Sequence, residues 1–210
     1  MFNFSSKTEV NKKFKIMDLN KQIGITKEAR KEQTKIESVV LKNVIAPNTL
    51  NCDIDKETKE IYVFEITMKE QYIPECFIKE LDKSIRIPTL FVVKYDGLES
   101  AYISYKNSAF KSKYYSTNWS KDMKIDLPLS VNVPKAYKFI LSKFLTYLPF
   151  ENETIEEYVR RNNQLIKLDY QIKKTESAIQ YETQSKKKFE YNARLKEYQQ
   201  SREELLKENV

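Results

Sequence analysis

The chain has 210 residues, 40% of them apolar and 32% charged, with a formal net charge of +7. It contains 2 glycines, 2 cysteines and no histidine, which excludes a P-loop, a dinucleotide-binding fingerprint, imidazole-based nucleophilic catalysis and any metal site built on histidine or four thiolates. No run of about 18 apolar residues occurs, and "MFNFSSKTEVNKKFK" lacks the apolar centre of a signal peptide, so a cytoplasmic protein with no membrane partner is expected.

Read in chain order, the opening predicts two helices. In "SSKTEVNKKFKIMDLN", Val10, Phe14 and Met17 share a helical face. In "GITKEARKEQTKIESVVLKNVIA", Thr26 can cap a helix with Glu28 in its first turn; Ile36, Val39, Val40 and Val44 then form an apolar stripe that ends at Pro47. "TLNCDID" reads as a short strand and "IYVFEITM" as a longer one, rich in β-formers. "IPECFIKELDKSI" is a helix with Pro74 at its start and Phe77, Ile78, Leu81 and Ile85 on one side. "PTLFVVKY" is a continuous apolar run suited to a central strand, and Asp96-Gly97 turns it into the return strand "LESAYISYK". Cys52 and Cys76, near the first strand and the helix, read as buried free thiols.

"PKAYKFILSKFLTYLPF" is a helix that starts at Pro134 and stops at Pro149, with Tyr137, Ile140, Leu141, Phe144 and Leu148 on one face. From Glu151 onward proline and glycine vanish, and one or two long helices follow. Leu165, Leu168, Ile172, Thr175 and Ile179 keep a coiled-coil rhythm; it fails at Glu182 and Lys186 and resumes as Phe189, Leu195, Tyr198, Arg202 and Leu205. A helix this polar gains little from propensity alone and needs something to pack on. The expected fold class is α+β, a small mixed β-sheet flanked by helices, with a long C-terminal helical extension. Its expected parts are N-terminal helices packing on the core over residues 1–46, the α+β core over 47–150, and a helical arm or hairpin over 151–210.

These elements and words resemble the bacterial domain-of-unknown-function family 4391. The stretches that carry the resemblance are "TEVNKKFKI", "IAPNTLNCD", "IYVFEITMK", "IPECFIKELDKSIRIPTLFVVKYDG" with "AYISYK", "YYSTNW" and "YETQSKKKFEYNARLK", which are spread over almost the whole span of the chain. The resemblance implies a small companion of superfamily 2 helicases and DNA methyltransferases, encoded in restriction-like or phage-defence clusters. It implies no catalytic residues.

The charge is uneven, and this bears on partners. Residues 1–50 carry 10 basic and 5 acidic side chains, 51–100 carry 7 and 11, 101–150 carry 8 and 2, and 151–210 carry 12 and 12. A polyanion or an acidic protein would be drawn to the first and third quarters; lysine used for solubility is the plain alternative. No acid lies between Glu99 and Asp122, where "YISYKNSAFKSKYYSTNW" mixes aromatics with lysines. There Tyr114, Tyr115 and Trp119 are candidates to stack on bases, and Lys106, Lys111, Lys113 and Lys121 to reach phosphates. The competing reading makes them the edge of a sheet, with Trp119 in the core. No arginine occurs between Ile87 and Val159, which favours backbone contact over base readout.

Two further sites are open. An acid on one strand with an acid and a lysine on the next is the pattern of a magnesium-dependent nuclease of restriction-endonuclease type; here Asp53 or Asp55, Glu65 and Lys69 would supply it, although Thr67 stands where the pattern has lysine. In the C-terminal helix, Phe189, Leu195, Tyr198 and Leu205 can dock on a partner or pack within the chain, and Lys186, Lys187 and Lys188 add charge. The leading expectation is a non-enzymatic accessory subunit of a DNA-acting complex. It would touch the DNA backbone and hold a helicase or methyltransferase subunit, with a homodimer through the C-terminal helices also open. It needs no cofactor; Mg2+ enters only under the nuclease alternative. The third reading is an interaction module with no nucleic-acid role.

Overall fold

Why residues 36–45 do not continue the preceding helix is the first question that the architecture answers. The computed structural model describes residues 2–16, 18–19, 24–52, 59–106, 112–121, 125–127 and 132–207. Helix α1 (Lys27–Gln33) is capped as expected, by Thr26, whose hydroxyl accepts from the Ala29 amide at 3.3 Å. It then stops, and Ile36–Ile45 is a strand, β3, instead of more helix. The spacing of Ile36, Val39, Val40 and Val44 suits a helix, but β-branched side chains are stiff and fit a pleated surface better. The expected first helix is also a strand. After β1 (Phe2–Asn3) and a 3-10 turn (Ser6–Thr8), β2 (Glu9–Phe14) pairs antiparallel with β3 as a solvated edge. Residues 1–46 are therefore not a separate helical layer: they contribute two strands to the sheet.

The segment read as the strand "TLNCDID" begins as a helical turn, α2 (Pro47–Leu50), closed by Asn51 in the left-handed region at φ 53°. Proline has no amide to give a ladder, so the strand ends there. The next elements follow the predicted order: β4 (Ile61–Met68), α3 (Glu75–Ser84), β5 (Thr89–Tyr95) and β6 (Leu98–Lys106). Asp96 and Gly97 both have positive φ, 43° and 74°, the backbone of a tight hairpin turn. β7 (Ser112–Ser116) adds the far edge, and β8 (Ile125–Asp126) pairs with β1 in a second small sheet.

The main sheet runs β2-β3-β4-β5-β6-β7, in sequence order. Only β4 and β5 are parallel, joined by the crossover through α3. On one face, Phe64, Ile66, Met68, Phe91 and Val93 pack with Ala29 of α1 and Phe77, Ile78 and Leu81 of α3. The Phe64 and Phe91 rings stack at 5.8 Å. Each of these side chains larger than alanine contributes about 2 kcal/mol by its burial. Glu32 of α1 ties the layer together, accepting from the Tyr72 hydroxyl at 2.9 Å and from the Phe77 amide at 2.8 Å. It thereby caps the start of α3, which Pro74 leaves without a side-chain cap. That hydrogen bond, with burial, pushes Tyr72 up to about 12. Helix α4 (Val133–Ser142) starts at the Asn132 cap and buries Ala136, Tyr137, Ile140 and Leu141. It ends seven residues before the expected stop at Pro149, and Leu148 is 75% exposed.

The chain divides into two compact units, residues 1–144 and 145–210. The second is a helical hairpin. Its first helix, α5 (Ile155–Tyr181), opens with a capping box in which Thr154 and Glu157 bond each other's backbone. Glu182 makes the turn, accepting from the Thr183 and Gln184 amides at 2.9 Å each. Helix α6 (Ser185–Leu206) returns alongside. At the base, Arg161 forks onto Glu153 at 2.6 and 2.8 Å and lies 3.8 Å over the Phe150 ring. Among the described residues, no helix is long and apolar enough to cross a membrane.

Candidate functional site

The basic aromatic stretch lands on β6, β7 and the segment after them. Alternation along β6 turns Tyr102, Ser104 and Lys106 toward α3 and turns Ile103 and Tyr105 away. Asp82, on the last turn of α3, is fully buried, and the stretch converges on it. Ser104 donates to its Oδ2 at 2.9 Å and Tyr114 at 3.1 Å, while Lys106 Nζ lies 2.8 Å from Oδ1. The same ammonium donates to the carbonyls of Asp82, Ile85 and Ile87 at 3.0, 2.5 and 3.2 Å. A cation belongs at a helix C-terminus, where the last carbonyls lack partners. Lys106 thus closes α3, and its ammonium is surrounded by protein oxygens.

Tyr114 is likewise engaged: its ring stacks on Tyr102 at 5.4 Å. Trp119 packs against the core. Behind the sheet, Tyr137 donates to the Ser104 carbonyl at 2.8 Å. Burial first, and the Asp82 charge second, push Tyr137 up, so it stays a proton donor. The rest of the candidate surface is exposed or half-buried. Lys113 is exposed, with its ammonium 5.4 Å from the Tyr115 ring centroid, and Lys121 is exposed. Lys111 lies outside the described residues.

A second cluster forms at the carboxyl ends of the parallel pair β4–β5. Lys94 Nζ sits 2.6 Å from Glu65 Oε2 and 3.3 Å from Glu99 Oε1. Burial alone would lower the Lys94 pKa, but the two carboxylates outweigh it and raise it. Lys94 is therefore a fixed cation between two anions, and no base. Lys13 of β2 lies in the same row of the sheet, opposite Val40, which is opposite Glu65. Sequence reasoning placed Lys69 here. Its ammonium instead donates to the Thr34 carbonyl at 2.8 Å, at the turn from α1 to β3. Asp53 and Asp55 lie outside the described residues. Among the described residues no group of three or more His, Cys, Asp or Glu side chains can hold a metal ion. Sequence reasoning missed Lys94 and Glu99, although the turn at Asp96-Gly97 is the signal that makes them a cross-strand pair.

In the hairpin, Leu195, Tyr198 and Leu205 are half-buried at coiled-coil spacing, and Leu205 lines a cleft with Gln164 and Leu168 of α5. Phe189 falls off that seam and is 77% exposed; Tyr191 holds the position instead. Tyr147 donates to Asp169 Oδ2 in a short hydrogen bond, and Arg202 Nε donates to Asp169 Oδ1 at 2.8 Å, so one carboxylate joins α5, α6 and the segment before them. Cys52 and Cys76 are half-buried, not buried, free thiols. Burial and the nearby Glu32 push the Cys76 thiol up, away from the thiolate form.

The family model described as Domain of unknown function (DUF4391) matches residues 2–201. No curated protein and no solved structure matches the chain.

Proposed function

The chain belongs to the family described as Domain of unknown function (DUF4391), and we propose that it works as a non-enzymatic accessory subunit of a DNA-acting, restriction-like or phage-defence complex. It touches the nucleic-acid backbone through the sheet unit and engages a helicase or methyltransferase subunit; that partner class rests on the family resemblance. The observation that carries the nucleic-acid part is the exposure of lysines in the basic third quarter: Lys113, Lys121, Lys135 and Lys143 are exposed, in a segment with 8 basic and 2 acidic side chains. Point charges of this kind bind phosphates without reading bases. Lys106, Tyr114 and Trp119 position that surface and do not form it. The protein acts in the cytoplasm and needs no cofactor for this role.

The test is fluorescence-detected binding of single- and double-stranded DNA at low and moderate salt. Affinity that falls with salt, and drops about tenfold in a Lys113→Glu, Lys121→Glu double variant, supports the reading. Affinity absent at low salt leaves an interaction module without a nucleic-acid role.

One observation favours the nuclease as a second reading. The parallel β4–β5 pair sets Glu65, Lys94 and Glu99 around one point, so Lys94 takes the place given to Lys69 beside Glu65. Two carboxylates suffice for Mg2+ only where substrate phosphate and water complete the shell. Mg2+-dependent cleavage that vanishes in both Glu65→Ala and Lys94→Met would establish this reading over the first.

A further inference from the structure

Helix α6 has 22 residues and none of them is buried. Its seam toward α5 is only half-covered, and Tyr170, Tyr181 and Phe189 stand 65%, 80% and 77% exposed. A polar helix of this length needs tertiary cover to be stable. The charge pattern identifies what covers it. The distal half of the hairpin, residues 173–196, carries 7 basic and 3 acidic side chains; the proximal half, residues 151–172 and 197–207, carries 5 basic and 8 acidic. The hairpin is thus a rod with a positive tip and a negative base. Such a rod is complementary to itself when turned end for end, which is the relation a two-fold axis generates.

We propose that the hairpin docks, tip to base, on the hairpin of a second copy of this chain. The outer face of α6 repeats at alternating three- and four-residue spacing as Lys186, Phe189, Ala193, Lys196, Gln200 and Glu203. Antiparallel pairing of this face about an axis level with Arg194 and Leu195 sets Lys186 of one copy against Glu203 of the other. It also seats Phe189 beside Gln200, whose aliphatic stem covers the ring. The helix is about 33 Å long, so tip and base overlap fully in this arrangement. A polyanion would meet the positive tip alone and leave both the negative base and the exposed Phe189 without a partner; the second copy answers all three features. This inference rests on the hairpin and not on the DNA-binding reading of the sheet unit.

Two charge-reversed full-length chains test it. One carries Lys186→Glu, Lys187→Glu and Lys188→Glu; the other carries Glu203→Lys and Glu204→Lys. Acids at the start of a helix and bases at its end suit the helix dipole, so both variants keep α6 folded, and far-UV circular dichroism verifies this. By analytical ultracentrifugation at low salt the wild type is expected to dimerise, and each variant alone to associate about a hundredfold more weakly. Mixing the two variants is expected to restore a heterodimer, since one is then negative and the other positive along its length. A wild type that stays monomeric at low salt overturns the proposal, as does a variant that dimerises alone with wild-type affinity. A monomeric wild type whose DNA affinity is lost in the tip variant would assign the tip to nucleic acid instead. Lys113→Glu, Lys121→Glu binding data, taken in parallel, report on the sheet unit independently.

Discussion

Two ion pairs of nearly the same chemistry hold the two units, and their surroundings set them apart. In the sheet unit, Asp82 is 0% exposed and pairs with Lys106, whose side chain is 15% exposed. In the hairpin, Asp169 and Arg202 are 32% and 35% exposed. Each aspartate also accepts from a tyrosine, Tyr114 in one unit and Tyr147 in the other. The first is sealed under a strand and completes the end of α3; the second is a clasp on a wet rod. A buried pair is expensive to break because the abandoned partner stays dry, whereas an exposed pair surrenders its partner to water.

The largest effect expected from this difference is in Asp82→Ala. It removes the acceptor for Ser104 and Tyr114 and leaves the Lys106 ammonium beneath the sheet with only carbonyl partners, at a cost of about 3–5 kcal/mol. Urea unfolding followed by tryptophan fluorescence measures it cleanly, because the single tryptophan, Trp119, packs on this core. A loss under about 1 kcal/mol would mean that water reaches the site, and would erase the contrast with the hairpin.

The same contrast decides what could be read in advance. Strand β4 and the β5–β6 hairpin were legible because each depends on its own residues: β-formers in a run, and Asp96-Gly97 at a turn that only a left-handed backbone can make. Strand β2 was not, because it is exposed on both faces and owes its conformation to the ladder with β3. Strand β3 was misread because Ile36, Val40 and Val44 lie four apart, a spacing that suits both periods, while the register shift between Ile36 and Ser38 brings Ile36 and Val39 to one core face at helix-like spacing. The candidate site divides likewise. Lys106 reads as a surface cation in sequence, yet its ammonium finds the end of α3 some twenty residues upstream, a pairing that no local pattern announces. Lys94 and Glu99 were fixed by the hairpin register, but their approach to Glu65 required the parallel pairing of β4 with β5.

A smaller effect, about 1 kcal/mol, is expected in Asp169→Asn. Its sign with pH sharpens the comparison. Burial would raise the Asp169 pKa, but the hydrogen bonds from Tyr147 and Arg202 outweigh burial and lower it. A carboxyl with a folded value below its unfolded value contributes stability above the unfolded value, near 4, and loses it as pH falls through the folded one. The wild-type hairpin should therefore lose stability below about pH 4, and the variant should lack that increment at neutral pH and change less on acidification. Helix circular dichroism during thermal unfolding at pH 7 and pH 3 follows both. Equal acid sensitivity in the two proteins would show that the clasp is not formed in solution.

The smallest effect is expected in Phe189→Ser. With 77% of the residue exposed, the ring has little burial to lose within one chain, so unfolding of dilute protein should shift by no more than about 0.5 kcal/mol. A phenylalanine that costs nothing to remove from a folded monomer is instead available to an interface, where burying it contributes about 2 kcal/mol. The two expectations part company with concentration. If the hairpin pairs with a second copy, wild type gains stability as protein concentration rises, by mass action, and Phe189→Ser loses most of that gain. A midpoint independent of concentration in both proteins would leave the ring as solvent-facing surface and remove the reason for a partner along α6.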